Sequence, residues 1–313
     1  MKDRDNTGVS GPKCAFLPAG HRPDLEQAAR EAGAVIVEPG EAEALIWTHS
    51  SGDPADMRAA VDENPHLRWV HLGPAGIEKY VPYLDADRMW TCGKGVFARP
   101  VAELALALML AGFRRIHRYA RASSWGDLDG ITLFGSHVTI LGGGGIAETL
   151  ADLLVPFEAE VTVVRNRIQP IPNVAHVVGA DGLDAELERA DVVVVALALT
   201  PATERIIDTA ALGRMQEHAW LVNVARGRHV DTDALVEALT ARSIGGAALD
   251  VTDPEPLPDG HPLWTMPNAL ITPHTANPRS IGGALVAQRL RENVRRFGTG
   301  EALLGPIDVT LGY

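Results

Sequence analysis

Apolar and polar positions along the chain follow two rhythms in alternation. From Lys13 onward, short runs rich in β-branched and aromatic residues (CAFLP, AVIV, ALIW, LRWVHL, MWTC) are separated by helix-like stretches (DLEQAAREAG, DMRAAVDENP). That order predicts a small parallel sheet with helices packed against it. Val101 to Ala122 has helix-forming composition broken only by Gly112, and reads as one helix long enough to connect two domains. From His137 a second alternation begins, with strands expected at 137–141, 160–164, 191–196, 219–223, 246–250 and 269–272. Six such strands fill a doubly wound sheet. A last helix, Ile281 to Phe297, is expected to pack back on the first layer. The first domain is then discontinuous, residues 1–101 with 281–313, around a second domain of residues 102–280.

Composition narrows the function classes. With 313 residues, 46% of them hydrophobic, the chain has enough apolar surface for two cores. A formal charge of −12 argues against general attraction to nucleic acid or to an anionic membrane. Any anionic ligand must meet a local cationic site. Cys14 and Cys92 are too few for a disulfide framework and lack metal-ligand spacing, so no metal is expected and a reducing, cytoplasmic location is. The opening MKDRDNTGVSG is polar, without the apolar core of a signal peptide, and reads as a flexible tail. The longest apolar runs, Val101 to Phe113 and Val192 to Leu199, are too short to span a bilayer.

Two features carry candidate chemistry. In LGGGGIAETL the spacing Gly142-x-Gly144-x-x-Ala147 falls between a strand and a helix. The first glycine permits the tight turn, the second lets the backbone approach a pyrophosphate, and the small third residue lets helix and strand pack closely. Unpaired amides at the helix start, near Gly145 and Ile146, then face the phosphates. An acid that binds the adenosine ribose is expected about 20 residues further on. Arg165, Asn166 and Arg167 stand there instead. Guanidinium groups bind the extra phosphate of NADP through paired hydrogen bonds, so NADP(H) is favoured over NAD(H). Solvated arginines ending a strand are the plainer alternative.

The second feature is a set of polar residues just past three apolar strands: Arg226 in NVARGRHVD, Glu255 in DVTDPEPLP and His274 in ITPHTA. Open α/β sheets bind ligands at this carboxyl edge, where the three can converge. Arginine holds a carboxylate in two hydrogen bonds, histidine passes a proton, and a neighbouring carboxylate stabilises the imidazolium. Such a set suits reduction of a 2-oxo acid.

With these motifs, together with GPAGIEKY, PVAELALALML, LTPATERIID and HPLW, the chain resembles the NAD(P)-dependent D-2-hydroxyacid dehydrogenases over nearly its full length. The resemblance implies a flavodoxin-like substrate domain and a Rossmann dinucleotide-binding domain. It implies that Arg226 binds the substrate carboxylate and carbonyl oxygen, that His274 is the proton donor, and that Glu255 hydrogen-bonds His274. Amides near Ala75 and Gly76 would clamp the carboxylate. Val101, Thr200, Pro201, Ala225 and Asp250, with His274, would line the cofactor, Asp250 near the nicotinamide carboxamide. Family members pair as homodimers through the helix following the VAE motif, here Val101 to Arg121; the apolar LALALML suits that role or an intrachain core equally. Arg99 either holds a second anionic group of the substrate or pairs with a surface acid.

The leading reading is NADPH-dependent reduction of a small 2-oxo acid such as glyoxylate or hydroxypyruvate. An NAD-dependent dehydrogenase of another D-2-hydroxyacid, such as 3-phosphoglycerate, and a non-catalytic sensor of the nicotinamide cofactor are the alternatives.

Overall fold

The computed structural model describes residues 11–313, and the N-terminal tail read from the sequence lies outside the described residues. The chain divides into two compact units, one ending at Phe97 and resuming at Arg279–Tyr313, the other Ala98–Pro278.

The first unit is built on five parallel strands, β1 (Lys13–Leu17), β2 (Val35–Ile36), β3 (Ala44–Trp47), β4 (Trp69–Leu72) and β5 (Met89–Thr91), in the order β2-β1-β3-β4-β5. This is the flavodoxin-like order, which reverses direction between β1 and β3. Side chains alternate across the sheet as a pleated strand requires. Leu45, Trp47, Val70 and Leu72 pack on one face with Met57 and Val61 of α2 (Pro54–Asp62). Phe16, Ala44, Ile46 and Trp69 pack on the other with α1 (Pro23–Glu31). The same face receives Val286, Leu290 and Val294 of the C-terminal helix (Arg279–Thr299), which spans the expected 281–297.

The second unit opens with α3 (Ala98–Phe113) and α4 (Ile116–Tyr119), followed by β6 (His137–Leu141), α5 (Gly145–Leu154), β7 (Glu160–Val164), β8 (His176–Val178), α6 (Leu183–Arg189), β9 (Val192–Val195), α7 (Thr209–Arg214), β10 (Trp220–Asn223), α8 (Thr232–Ala241), β11 (Gly246–Leu249) and β12 (Ala269–Ile271). The C-terminal helix is α9 in this count. Its seven strands are all parallel, in the order β12-β11-β10-β9-β6-β7-β8. Counted within the unit this is 7-6-5-4-1-2-3, the Rossmann order with one added strand.

Two expectations are corrected. The sheet has seven strands rather than six, because β8 is a three-residue edge strand preceded by the proline-rich IQPIPN, too short for a period to show. The helix expected at 101–122 is broken. Arg115 takes a left-handed φ of +52°, its guanidinium lies 5.3 Å over the Trp220 ring, and its Nε donates to Asp129 at 3.0 Å. Tertiary partners thus override local propensity. The apolar run of α3 is spent inside the unit, with Val101, Ala105, Leu108, Met109 and Phe113 buried.

The first unit holds a buried imidazole. His71 on β4 meets Thr91 Oγ1 through Nδ1 at 2.9 Å, while its Nε2 has no partner. Burial, with Arg289 adding to it, pushes its pKa from 6.5 down to about 4. The unfolded chain therefore takes up a proton near pH 6.5 that the folded chain refuses until about pH 4. This contribution is fully present above pH 6.5 and is lost as pH falls through that window, up to about 3 kcal/mol. Unfolding free energies measured between pH 7 and 4.5 are expected to fall less steeply for His71→Asn than for the unaltered chain; parallel slopes would contradict this.

Candidate active site

In the second unit the strand order reverses between β6 and β9, so the loops that follow these strands flank the crevice where such sheets bind dinucleotides. After β6, Gly142 has φ +107°, and a Cβ there would lie 2.5 Å from the Ala196 carbonyl oxygen. Only glycine fits on both counts. α5 starts at Gly145 with Gly144 as its cap and no side chain capping it, so the first-turn amides stay open to a ligand. Nothing lies within 4 Å of where a Gly144 Cβ would be. Ala147 is fully buried, in keeping with close helix packing. After β9, Thr200 and Pro201 form a turn closed by Thr203 Oγ1, which accepts from the Thr200 amide at 2.9 Å.

Arg165 ends β7, its amide donating to Val178 of β8 at 2.9 Å. Its side chain crosses the glycine turn so closely that a Cβ on Gly143 would lie 2.5 Å from Arg165 Cδ. Asn166 and Arg167 are exposed beyond it. Arg165 and Arg167 have no carboxylate partner among the described residues. The Arg165 side chain thus lies over the glycine turn with no carboxylate paired to it among the described residues.

Three neighbouring strands, β10, β11 and β12, carry the other candidates at their aligned carboxyl ends. Buried Asn223 closes the turn after β10: its Nδ2 donates to the Arg226 carbonyl at 2.8 Å and its Oδ1 accepts from the Ala225 amide at 3.0 Å. Ala225 is buried, and its carbonyl accepts from Arg226 Nη1 at 2.7 Å. Next, a Cβ on Gly227 would sit 1.9 Å from the Thr252 carbonyl oxygen. The loops after β10 and β11 therefore touch main chain to main chain.

Asp250, at the end of β11 and 2% exposed, gathers the loop after β12 around its carboxylate. Oδ1 accepts from Thr272 Oγ1 at 2.6 Å and from the Thr275 amide at 2.8 Å, and Oδ2 accepts from the Ala276 amide at 3.1 Å. The Asp250 carbonyl accepts from the His274 amide at 2.8 Å, and His274 sits at φ +52°. Held there, His274 Nδ1 lies 2.6 Å from Glu255 Oε1. The carboxylate accepts from Nδ1–H, which fixes the tautomer and leaves Nε2 as the atom for proton transfer. Both side chains are about half exposed, so the pair orients the ring more than it stabilises the fold.

Ala75 and Gly76 follow β4 in the first unit, where Gly93 donates its amide to the Pro74 carbonyl at 2.9 Å. A Cβ on Gly93 would come within 2.7 Å of the Gly73 oxygen. Arg99 is exposed in the first turn of α3 without an acid paired to it among the described residues, and Val101 is buried in that helix. Sequence reasoning passed over Asn223, Gly227 and Gly93, whose roles depend on main-chain approaches. It also missed His229, which is buried with Nδ1 2.8 Å from the Thr203 carbonyl and so ties the turn after β9 to that of Arg226. Among the described residues no group of three His, Cys, Asp or Glu side chains is placed to hold a metal ion, and no helix is long and apolar enough to cross a membrane.

A seven-stranded Rossmann sheet with an open glycine turn, and an oriented imidazole beyond its far strands, defines an oxidoreductase of the nicotinamide-dependent class. The sequence profile of the D-isomer specific 2-hydroxyacid dehydrogenase NAD-binding domain matches residues 104–276. The chain belongs to that family. It is 36% identical over 263 residues to human glyoxylate reductase/hydroxypyruvate reductase, covering 78% of this chain and 79% of the relative. It is also 36% identical over 229 residues to a glyoxylate reductase of Thermofilum pendens, covering 69% and 68%. The structure superposes with a TM-score of 0.83 on a D-isomer specific 2-hydroxyacid dehydrogenase of Xanthobacter autotrophicus solved with NADPH and MES, at 28% identity over 97% of this chain and 100% of that one.

Because the main-chain approach at Gly227 sets the spacing of the Arg226 and Glu255 loops, Gly227→Ala is expected to lower kcat/KM by about tenfold to a hundredfold, as displacements near 1 Å do. Steady-state kinetics alongside circular dichroism checks this, and unchanged kcat/KM in a folded variant would contradict it.

Proposed function

We propose that this chain reduces a small 2-oxo acid of the glyoxylate or hydroxypyruvate type to the D-2-hydroxyacid, using NADPH. The observation that carries this is the His274–Glu255 contact at 2.6 Å, an oriented proton donor at the carboxyl edge of a dinucleotide-binding sheet. When bound, the nicotinamide supplies the hydride. The chain's own residues do the rest. Arg226 holds the carboxylate and polarises the carbonyl, and protonated His274 passes a proton from Nε2 to the oxygen as negative charge builds there. Glu255 steadies the imidazolium until the proton leaves. In this reading the amides of Ala75 and Gly76 bind the substrate carboxylate, and Thr200, Pro201, Ala225 and Val101 line the cofactor. Asp250, whose carboxylate is engaged with the chain's own loop, serves by positioning His274.

NADPH is preferred because Arg165 and Arg167 stand where an acid would select NADH, while the open glycine turn leaves room for the pyrophosphate that both cofactors share. The Xanthobacter relative solved with NADPH supports the same choice.

We also infer pairing with a second copy. Trp125 is 99% exposed and Leu128 94%, beside Tyr119, an apolar surface of a kind that soluble monomers seldom present. Light scattering is expected to give twice the chain mass, falling to one chain mass for Trp125→Asp; a monomeric unaltered chain would contradict the pairing.

One kinetic series tests the activity. Turnover of glyoxylate or hydroxypyruvate is expected with NADPH in preference to NADH, and Arg165→Ala with Arg167→Ala is expected to raise KM for NADPH by about tenfold or more. His274→Ala is expected to lower kcat by about a hundredfold or more with little change in NADPH affinity. Equal rates in the His274 variant, or no turnover of any 2-oxo acid despite tight NADPH binding, would overturn the reading, the latter in favour of a sensor.

A further inference from the structure

The first unit has a switch point of its own, between β1 and β3, and two imidazoles flank it. His21 follows β1 and His49 follows β3, their ring centroids 5.5 Å apart and tilted by 56°. Open α/β sheets bind ligands in the crevice at such a point.

The His49 backbone and the His21 ring are each anchored, and each ring keeps at least one nitrogen without a partner among the described residues. The His49 carbonyl accepts from Trp47 Nε1 at 3.2 Å, Tyr80 Oη at 3.3 Å and the Gly52 amide at 3.2 Å. Gly52 closes against the ring so tightly that a Cβ there would lie 2.4 Å from His49 Nδ1. The ring nitrogens of His49 nevertheless have no hydrogen-bond partner among the described residues. Thr48 Oγ1 donates to the Leu17 carbonyl at 3.1 Å and so accepts from His21 Nδ1 at 3.2 Å. Nδ1 of His21 is thereby fixed as the protonated nitrogen, and Nε2 is left facing out without a partner among the described residues. His21 is exposed and His49 is half-buried.

Charges of both signs surround the pair: Arg22 is ion-paired with Asp24, and the Gly20 amide donates to Glu26 Oε1 at 3.3 Å. Arg22 adjoins His21, and Arg279 lies close enough to act with Arg22 on Asp24, whose carboxyl is held low by its hydrogen bond to Arg22. Lys79 donates to the Gly52 carbonyl at 2.7 Å. Through Lys79 and Tyr80, the segment that carries Ala75 and Gly76 is pinned to the His49 loop. The imidazole pair and the two amides thus belong to one carboxyl edge.

We propose that His21 and His49 form the binding site for a second carboxylate of the substrate, so that this chain acts on 2-oxo dicarboxylic acids in preference to monocarboxylic ones. The inference rests on the 2-oxo acid reductase reading and assigns its substrate class, with the monocarboxylic glyoxylate and hydroxypyruvate turned over less efficiently than the dicarboxylic acids. Ring N–H groups at this spacing can reach the two oxygens of one carboxylate. A monocarboxylic acid leaves them empty and gains nothing from them.

The test compares 2-oxobutanedioate with 2-oxobutanoate, which differ only in the terminal carboxylate. With NADPH, kcat/KM for the dicarboxylate is expected to exceed that for the monocarboxylate by about tenfold or more, and the preference is expected to collapse in the double variant His21→Asn, His49→Asn. Equal kcat/KM for the two acids, or a preference that survives in the double variant, overturns the inference. Without NADPH, imidazole NMR signals of the unaltered chain, assigned through the single variants, are expected to move with 2-oxobutanedioate and stay with 2-oxobutanoate. If neither acid is turned over, the reductase reading fails and these signals decide alone: movement with the dicarboxylate only supports the carboxylate site, and still signals overturn it.

Discussion

A single buried carboxylate sets the geometry on which the chemistry depends. Asp250 is withdrawn from water at the end of β11, and a buried charge of this kind is costly unless hydrogen bonds satisfy it. Here Thr272, Thr275 and Ala276 satisfy it, all from the loop that leaves β12. That loop has no regular structure to shape it, so the carboxylate is its template. His274 takes a left-handed conformation, disfavoured for a residue with a Cβ, because the amides on either side are committed to Asp250. The position of the imidazole is therefore fixed from below by a residue that need not touch substrate.

The same logic of withholding partners from some groups and giving them to others separates structural charges from functional ones. Most arginines of the chain sit in ion pairs, such as Arg291 with Glu31 and Arg295 with Glu292 and Glu301. Among the described residues Arg165 and Arg167 sit in none, beside a turn whose amides are also open. In a chain with an acidic excess, a cation left without an acid is a more informative feature than a cation as such.

How much of this was legible in the sequence follows from the range of the interactions. The Gly142-x-Gly144-x-x-Ala147 turn is a local device, set by φ angles and by the start of α5, and its pattern shows in the residues themselves. The strand-end placement of Arg226, Glu255 and His274 could be read because apolar runs mark where strands stop. The role of Gly227 could not, since it depends on the Thr252 carbonyl 25 residues away in sequence. The break of the helix at Arg115 is hidden for the same reason: Trp220 and Asp129 make it, and no propensity of RRIH announces it. β8 was missed because three residues on a sheet edge cannot display a period.

Each unit places its unengaged polar groups at the edge where its parallel strands end. A parallel sheet offers little alternative, because its faces are covered by helices and its strands are largely apolar, as VVVV in β9 and ALIW in β3 are. Only the loops at the strand ends are free to carry chemistry, and the reversal of strand order opens the one crevice that helices on opposite faces do not fill. In the second unit that crevice lies between the glycine turn and Thr200; in the first it lies between His21 and His49. The five-strand distance from β7 to β12 then matters, because it separates Arg165 from His274 along one edge. An extended ligand with a phosphate at one end and a reactive ring at the other is the shape that such an edge selects.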